Sequence, residues 1–466
     1  MRWMATTNTI KTWAENNFAN AALGDKRLSR RAVQIAASIA ANPSASVPRQ
    51  CRGAKTEIAG TYRFLSNDAI NPHQVISAHR ELTLEHCRRM PLVLCVQDGT
   101  ELDYTGREAD GMDDIGNGTG KGLMMQSVLA VSPEGELIGV LHLDIHKRKK
   151  KSENETVRQR QQRETERQIW TRSARAIAPL NFGPARIVHV CDRDADCFDF
   201  LDACRELKHD YVVRAQHDRK AREQTRLWEH LQNQPVAHEY TQRVPKRKQG
   251  KRLKGHRQAT LSVRYAKVTF PPPINDPRYA KKAPVELWAV QAIELNPPEG
   301  HEAVEWMLLT TLRVENAQEA LEVIGYYEQR WKIEEWHRSL KQGCAVEEAQ
   351  MKKAQTLANQ VAMKAVVAVR LIQMRDAARQ EDKEREAAKR HVESNHLSVV
   401  ALMLGKPEEQ ISVGEYWRQM AKLGGWLGRK NDGAPGWLTI WRGWQQIELM
   451  AQGFALAFAF ASKKDV

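Results

Sequence analysis

Cysteine is scarce in this chain and shows no useful spacing. The seven residues, Cys51, Cys87, Cys95, Cys191, Cys197, Cys204 and Cys344, are odd in number and form no C-x-x-C pair. That excludes a disulfide framework and a thiolate zinc site, and a reducing cytoplasm is the expected home. No apolar run reaches about 18 residues and no signal-peptide pattern opens the sequence, so a membrane span is not expected. No basic amphipathic helix with a Leu/Trp face opens it either, which makes a membrane surface a poor partner. What is abundant is positive charge: 71 lysines and arginines against 57 acids in 466 residues, a net +14, with a pI near 9.4. An excess of that size points to a polyanion, nucleic acid first. The length predicts two to four domains with ample core.

One stretch organises the rest, NAQEALEVIGYYEQRWKIEEWHRSLKQG, Asn316 to Gly343. Asn316 is a capping residue, Glu319 stands where a capping-box acid belongs, and Gly343 supplies a left-handed stop, so the pattern predicts one long helix. At about 100° per residue, Tyr327, Arg330, Glu334 and Lys341 fall within an arc of about 60°, in a row ~21 Å long. A second arc, Ile333, Trp336 and Leu340, is apolar; a third, Glu328, Lys332, Glu335 and Ser339, is polar. A merely solvated helix needs only two faces, and an i,i+4 Arg330–Glu334 surface pair would be worth a few tenths of a kcal/mol.

Along the chain, residues 1–70 read as short helices (Thr12 to Asn20, Leu28 to Ala41, Ala54 to Leu65) carrying Lys26, Arg27, Arg30, Arg31, Arg49, Arg52, Lys55 and Arg63. That is the look of a small helical DNA-binding module, or of a three-helix bundle with a basic surface. A helix from His73 to Arg89 follows. Leu92 to Val96 is a buried strand delivering Asp98 at its end, and Met124 to Val131 and Leu137 to Ile145 form a hairpin. Ser152 to Ala176 is charged and mainly helical. Ile187 to Cys191 is a strand ending at Asp192, FDFLDACREL a helix, and Tyr211 to Arg214 a strand. Three antiparallel strands, then strands alternating with helices, give an α/β, ribonuclease-H-like catalytic core over 71–378. Strands at about 237–311, around VPKRKQGKRLKGHR, ATLSVRYAKVTF and PPPINDP, read as a β insertion with a basic edge. After the apolar helix Leu357 to Ala378, residues 379–466 read as a C-terminal helical domain. Its tract EDKEREAAKR reads as a solvated helix or linker, and Trp417, Trp426, Trp437, Trp441 and Trp444 as a docking surface or a small core of their own.

Aspartates at the ends of two neighbouring strands can converge with a glutamate on a helix across the sheet, since strands lie ~5 Å apart and a helix packs ~10 Å away. Three such carboxylates repel one another unless a cation compensates. Carboxylate oxygens suit Mg²⁺ or Mn²⁺, and the lack of a His or Cys cluster argues against zinc. Two ions ~4 Å apart activate a water or 3′-hydroxyl and stabilise the leaving oxygen of a phosphodiester. On this reading Asp98 bridges both ions, Asp192 and Glu334 each complete one, and Tyr327, Arg330 and Lys341 grip neighbouring phosphates. Asp194 and Asp196 compete with Asp192, which is preferred because it directly follows the strand. Glu335 competes with Glu334 and loses on helical phase.

Tyr327-x2-Arg330-x3-Glu334-x6-Lys341 resembles the Y-(2)-R-(3)-E-(6)-K signature of the insertion-sequence-four family of DDE transposases. The resemblance runs in order through AALGDKRLSRR, GTYRFL, LCVQDGT, VCDRDAD, NPPEGHEAVEWMLLT, RWKIEEWH, LGGW and PGWLTIWRGW. It implies a bacterial, nucleoid-associated cut-and-paste transposase with Asp98, Asp192 and Glu334 as its triad. Such an enzyme binds terminal inverted repeats of double-stranded DNA, nicks them, passes through a hairpin on the transposon end and joins the end to target DNA, acting as a homodimer. It implies that Trp306 stacks on a flipped base, that Arg214 contacts DNA, with Gln216 where a relative has a basic residue, and that Arg31 and Arg63 hold transposon DNA. The alternative from another class is a catalytically silent DNA-binding repressor of its own element. A junction or repair nuclease on the same fold lacks use for the N-terminal module.

Overall fold

The computed structural model describes residues 10–461 apart from 108, 117, 149–167, 221–224, 245–247, 250–251, 254–256, 274–275, 280, 380–383, 391, 393 and 430–431. Most of the Ser152 to Ala176 segment, the centre of the VPKRKQGKRLKGHR run, two residues of PPPINDP and the start of EDKEREAAKR therefore lie outside the described residues.

Helices open the chain: α1 (Ile10–Phe18), α2 (Lys26–Ala41), α3 (Val47–Gln50), α4 (Lys55–Leu65), α5 (Pro72–Val75) and α6 (Ser77–Cys87). Asp25 caps α2 by accepting from the Arg27 N–H, and Asn71 with Gln74 forms a capping box on α5. Then come β1 (Leu92–Asp103), β2 (Asp113–Ile115), β3 (Gly120–Val131), β4 (Leu137–His146), α7 (Gln168–Ile177), β5 (Arg186–Cys191), α8 (Phe198–Leu207) and β6 (Asp210–Arg214). β1, β3 and β4 pair antiparallel in succession, and β5 and β6 join β1 in parallel. The order β4-β3-β1-β5-β6 is that of a ribonuclease-H-like core. Its central strands are apolar because both faces are covered: Val93 to Val96 and Val188 to Cys191 are buried throughout.

The strand-rich stretch after α9 (Leu227–Gln232) adds no separate layer. β7 (His238–Val244), β10 (Arg257–Phe270), β11 (Val285–Ile293) and β12 (Glu305–Thr310) continue the same sheet, with β12 antiparallel to β6 and β7 at the edge. Among the described residues, β8 (Lys248–Gln249) and β9 (Arg252–Leu253), within the basic run, form a two-stranded sheet of their own.

The expected single helix after Asn316 is broken. α10 (Ala317–Glu328) and α11 (Trp331–Arg338) are separated by a turn at Gln329 and Arg330, and Ser339–Gly343 forms a π-helical turn. Asn316 does cap α10, accepting from the Glu319 N–H at 3.0 Å, but the Glu319 carboxylate accepts from Glu315 rather than Asn316. Gly343 is not left-handed; Ala345 is, at φ 46°. Gly343 is small for another reason, since a Cβ there would stand 2.6 Å from the Trp437 indole.

α12 (Ala354–Ala377) is buried on almost every side, the polar Thr356, Asn359, Gln360, Lys364, Arg370 and Arg375 included. It packs against β4, the N-terminal helices and α15 (Trp437–Ala461), and α13 (Ser394–Leu404) and α14 (Val413–Leu423) pack on α15 in turn. One core therefore runs from α1 through one sheet face to α15. The tryptophans of the tail belong largely to that core and not to an exposed surface: Trp417, Trp441 and Trp444 are buried. Arg370 stacks between Trp13 of α1 and Trp444 of α15, its guanidinium carbon 5.2 and 5.0 Å from their rings. The apolar side chains α15 does expose include Leu438, Leu449, Met450, Phe454 and Leu456. Of EDKEREAAKR, residues 384–390 form a turn and a short 3₁₀ segment. Among the described residues, no helix is long and apolar enough to cross a membrane.

Candidate active site

β1 and β5 lie in register from Leu92 opposite Arg186 to Val96 opposite Val190. Two residues beyond that last pair on each strand stand Asp98 and Asp192, so the two carboxylates sit at equivalent heights side by side. Asp98 does not end its strand as expected. β1 continues against β3, with Asp98 opposite Ser127, and it is the pairing with β5 that ends.

Glu334 reaches the same place through Arg330. The guanidinium Nη1 lies 3.6 Å from Asp98 Oδ2, and Nη2 donates to Glu334 Oε1 at 2.5 Å. This is no solvated surface pair, because the Arg330 side chain is only 12% exposed. Burial and the neighbouring Asp192 charge push Asp98 up to about 7, against the pull of Arg330. Burial also raises Asp192, opposed by the Asp194 N–H that donates to it at 2.9 Å and by Arg330. Crowded carboxylates thus share one guanidinium, and the site is short of positive charge near neutral pH.

The competing acids are otherwise engaged. Asp194 is exposed. Asp196 is buried, ion-paired with Arg219, and accepts from the N–H groups of Gln216 and His217 at 2.7 and 3.2 Å. Glu335 turns away from Asp98 to Arg375, at 2.9 Å.

The apolar arc of α11 is buried as its phase predicts, with Trp336 donating to Ala365 O at 3.1 Å. Tyr327 is also buried, edge-on to Trp306 at 5.6 Å. Arg214, opposite Leu308 on β12, donates to Glu305 O at 3.1 Å, so it stands beside Trp306. Trp331 is 55% exposed with the Arg330 guanidinium 5.3 Å from its ring. The Arg330 Nε is buried with no partner among the described residues, a donor in want of an acceptor.

Lys341, on the π-helical turn, donates to Glu101 O at 2.5 Å and pairs with Glu347 at 3.2 Å. Glu347 also accepts from the Asp103 N–H at 2.9 Å, tying this turn to β1. Sequence reasoning missed Glu347, whose only signal is an acid six residues past Lys341 in irregular chain. Arg31 and Arg63 are not part of the cluster. They belong to the N-terminal helices, where Arg31 pairs with Glu57 at 2.5 Å over Gly60 and Arg63 is exposed.

Among the described residues, no three His, Cys, Asp or Glu side chains stand close enough around one point to hold an ion. Arg330 stands between Asp98, 3.6 Å from its Nη1, and Glu334, which accepts from its Nη2. The donors are all carboxylate oxygens and carry unmet negative charge, so the set fits a hard divalent cation and not zinc.

A sheet of this order, with two acids level on its parallel central strands, defines the ribonuclease-H-like class of α/β folds. A family model for the transposase DDE domain matches residues 91–370, one for transposase DNA-binding matches 10–70, and one for the transposase Tn5 dimerisation domain matches 384–463. The chain belongs to the DDE transposases of the Tn5 kind. A solved piggyBac transposase synaptic complex with hairpin DNA is 12% identical, covers 90% of this chain and 77% of its own, and has a TM-score of 0.37, too low to bear on the reading. Membership makes this a DNA transposase with DNA-binding and dimerisation segments, and a DDE domain implies dependence on a divalent metal.

Proposed function

We propose that this transposase binds the terminal inverted repeats of its element, cleaves them by two-metal phosphodiester chemistry through a hairpin intermediate, and joins them to target DNA. Asp98, Asp192 and Glu334 would hold the ions, Mg²⁺ or Mn²⁺. The observation that carries the reading is the meeting of Asp98 and Asp192 at one height on neighbouring strands with Glu334, joined to Asp98 by a single guanidinium. Bound there, the ions would supply an activated oxygen nucleophile and stabilisation of the leaving oxygen.

The chain's own residues do the rest. Arg330, with its unsatisfied Nε, offers a donor to a phosphate oxygen beside the scissile one, and Lys341 a second cation on the same side. The Trp306 and Tyr327 rings, edge to face, form an apolar wall against which an unstacked base can lie, and Arg214 stands next to it. Residues 1–70 carry Arg31 and Arg63 toward the inverted repeat, 71–378 do the chemistry, and 379–466 dimerise. The apolar side chains exposed on α15 support that last role.

The test is incubation of the purified protein and Mg²⁺ with DNA bearing the element ends. Wild type gives nicked, hairpinned and joined products. Asp98→Asn, Asp192→Asn and Glu334→Gln each abolish cleavage and keep end binding. Bound but uncut DNA with wild-type protein would make this a repressor, and cutting by Asp98→Asn would remove that residue from its role.

A further inference from the structure

The break at Gln329 and Arg330 leaves the Glu334 carboxylate on a helix of eight residues, Trp331–Arg338. So short a helix has little rigidity of its own. Its rotation about its axis decides whether Glu334 faces Asp98 or Glu335 does, since neighbouring residues differ by about 100°. The apolar side chains Ile333 and Trp336 seat it against the core, with the Trp336 Nε1 bond to Ala365 O, at 3.1 Å, as a single pivot, but apolar contact itself is not directional.

Two charge pairs supply direction, and both end on one dipeptide of α12. Lys332 Nζ lies 3.1 Å from Asp376 Oδ2, and Arg375 Nη2 donates to Glu335 Oε2 at 2.9 Å. Arg375 and Asp376 are themselves joined, through Nε at 2.8 Å and Nη2 at 2.5 Å to Oδ1. Arg375 has 4% of its side chain exposed against 37% for Glu335, so the arginine end of the clasp is sheltered from water. Lys332 and Glu335 flank Glu334 at positions −2 and +1. We infer that Arg375 and Asp376 are positioning residues: with Lys332 and Glu335 they form a two-point clasp that fixes the rotation of α11 and so aims Glu334 at Asp98. This rests on the reading of Glu334 as a catalytic, metal-holding carboxylate.

The clasp touches neither substrate nor ion, so its loss should misplace a carboxylate without removing one. Mg²⁺ demands near-ideal ligand geometry, whereas Mn²⁺ tolerates displaced ligands better. The experiment compares full-length wild type, Lys332→Met/Glu335→Gln, Arg375→Lys and Arg375→Met in single-turnover cleavage of saturating end DNA, in Mg²⁺ and in Mn²⁺. End-DNA affinity, thermal midpoint and amide hydrogen exchange of residues 333–338 are measured on the same samples, with Glu334→Gln as the reference. The double variant alters the more exposed half of the clasp, which keeps the test usable if Arg375→Met fails to fold.

The expected result for the double variant is a loss of about tenfold in Mg²⁺, the scale of a ~1.4 kcal/mol misplacement, and of no more than about threefold in Mn²⁺. Exchange at residues 333–338 quickens, end-DNA affinity is unchanged, and Arg375→Lys falls between wild type and Arg375→Met. Equal losses in both metals, accompanied by a lower thermal midpoint, would overturn the inference in favour of a purely structural role. Full-rate cleavage by the clasp variants while Glu334→Gln is inactive would refute the clasp alone. Cleavage by Glu334→Gln would refute the underlying reading of the site.

Discussion

If Asp98 is crowded by Asp192 and by burial, removing its charge should stabilise the metal-free protein, and the gain should grow with pH. Its folded value is about 7 against an unfolded 3.8. A carboxyl raised in this way contributes its full stability below about pH 3.8 and loses it as pH rises through about 7. Between pH 6 and pH 8 the loss is about 1.4 kcal/mol, and well above pH 7 it approaches about 4 kcal/mol. Asn matches the neutral acid in shape and cannot ionise. Asp98→Asn should therefore melt above wild type already at pH 6, where the loss is about 3 kcal/mol, and further above it at pH 8, each kcal/mol being worth about 1 to 2 °C in a chain of this length. Differential scanning fluorimetry in chelator at half-unit steps of pH checks this, and subtracting the two curves cancels every other titrating group. Adding Mg²⁺ at pH 8 should close the gap by stabilising wild type only. Parallel melting curves from pH 6 to pH 8 in chelator would show that the carboxylates do not crowd one another, and the argument for a shared cation would fail with them.

Two further outcomes follow from the buried polar groups. His79 accepts from the Val140 N–H through Nε2 and bonds Asn17 Oδ1 through Nδ1; burial lowers it to about 3, as it does His189 and His337. Their depressed values give stability that is whole above pH 6.5 and drains as pH falls, about 2 kcal/mol for each histidine by pH 5, so the urea midpoint should drop from pH 7 to pH 5; a flat profile would contradict neutral burial. Asp196→Ala strands Arg219 and the N–H groups of Gln216 and His217, and should cost about 3 to 5 kcal/mol in chemical denaturation, against little for Ala at the exposed neighbour Asp194.

The short apolar runs LVLCV and IVHVC read as buried strands and are so, but the strand end expected at Asp98 is only the end of its pairing with β5, because β3 carries β1 on to Asp103. The burial of Ile333, Trp336 and Leu340 was readable from periodicity against one core. The break at Gln329 and Arg330 was not, because neither residue is Gly or Pro, and the Asp98 that Arg330 faces there is brought near only in the folded chain. Gly343 read as a stop and proved to be clearance for Trp437, a residue some ninety positions away. The tail tryptophans read equally as surface or core, and α1 and α12 decide it by covering them. Long-range pairing also hid that β7, β10, β11 and β12 continue the catalytic sheet.

Arg370, held between the indoles of Trp13 and Trp444, joins nearly the first helix of the chain to the last. A ribosome makes the first of these long before the second, so the head of the protein must wait, one flank bare, until the tail emerges. A product cut short before residue 437 would lack Trp444 and leave one face of the Arg370 guanidinium without its ring.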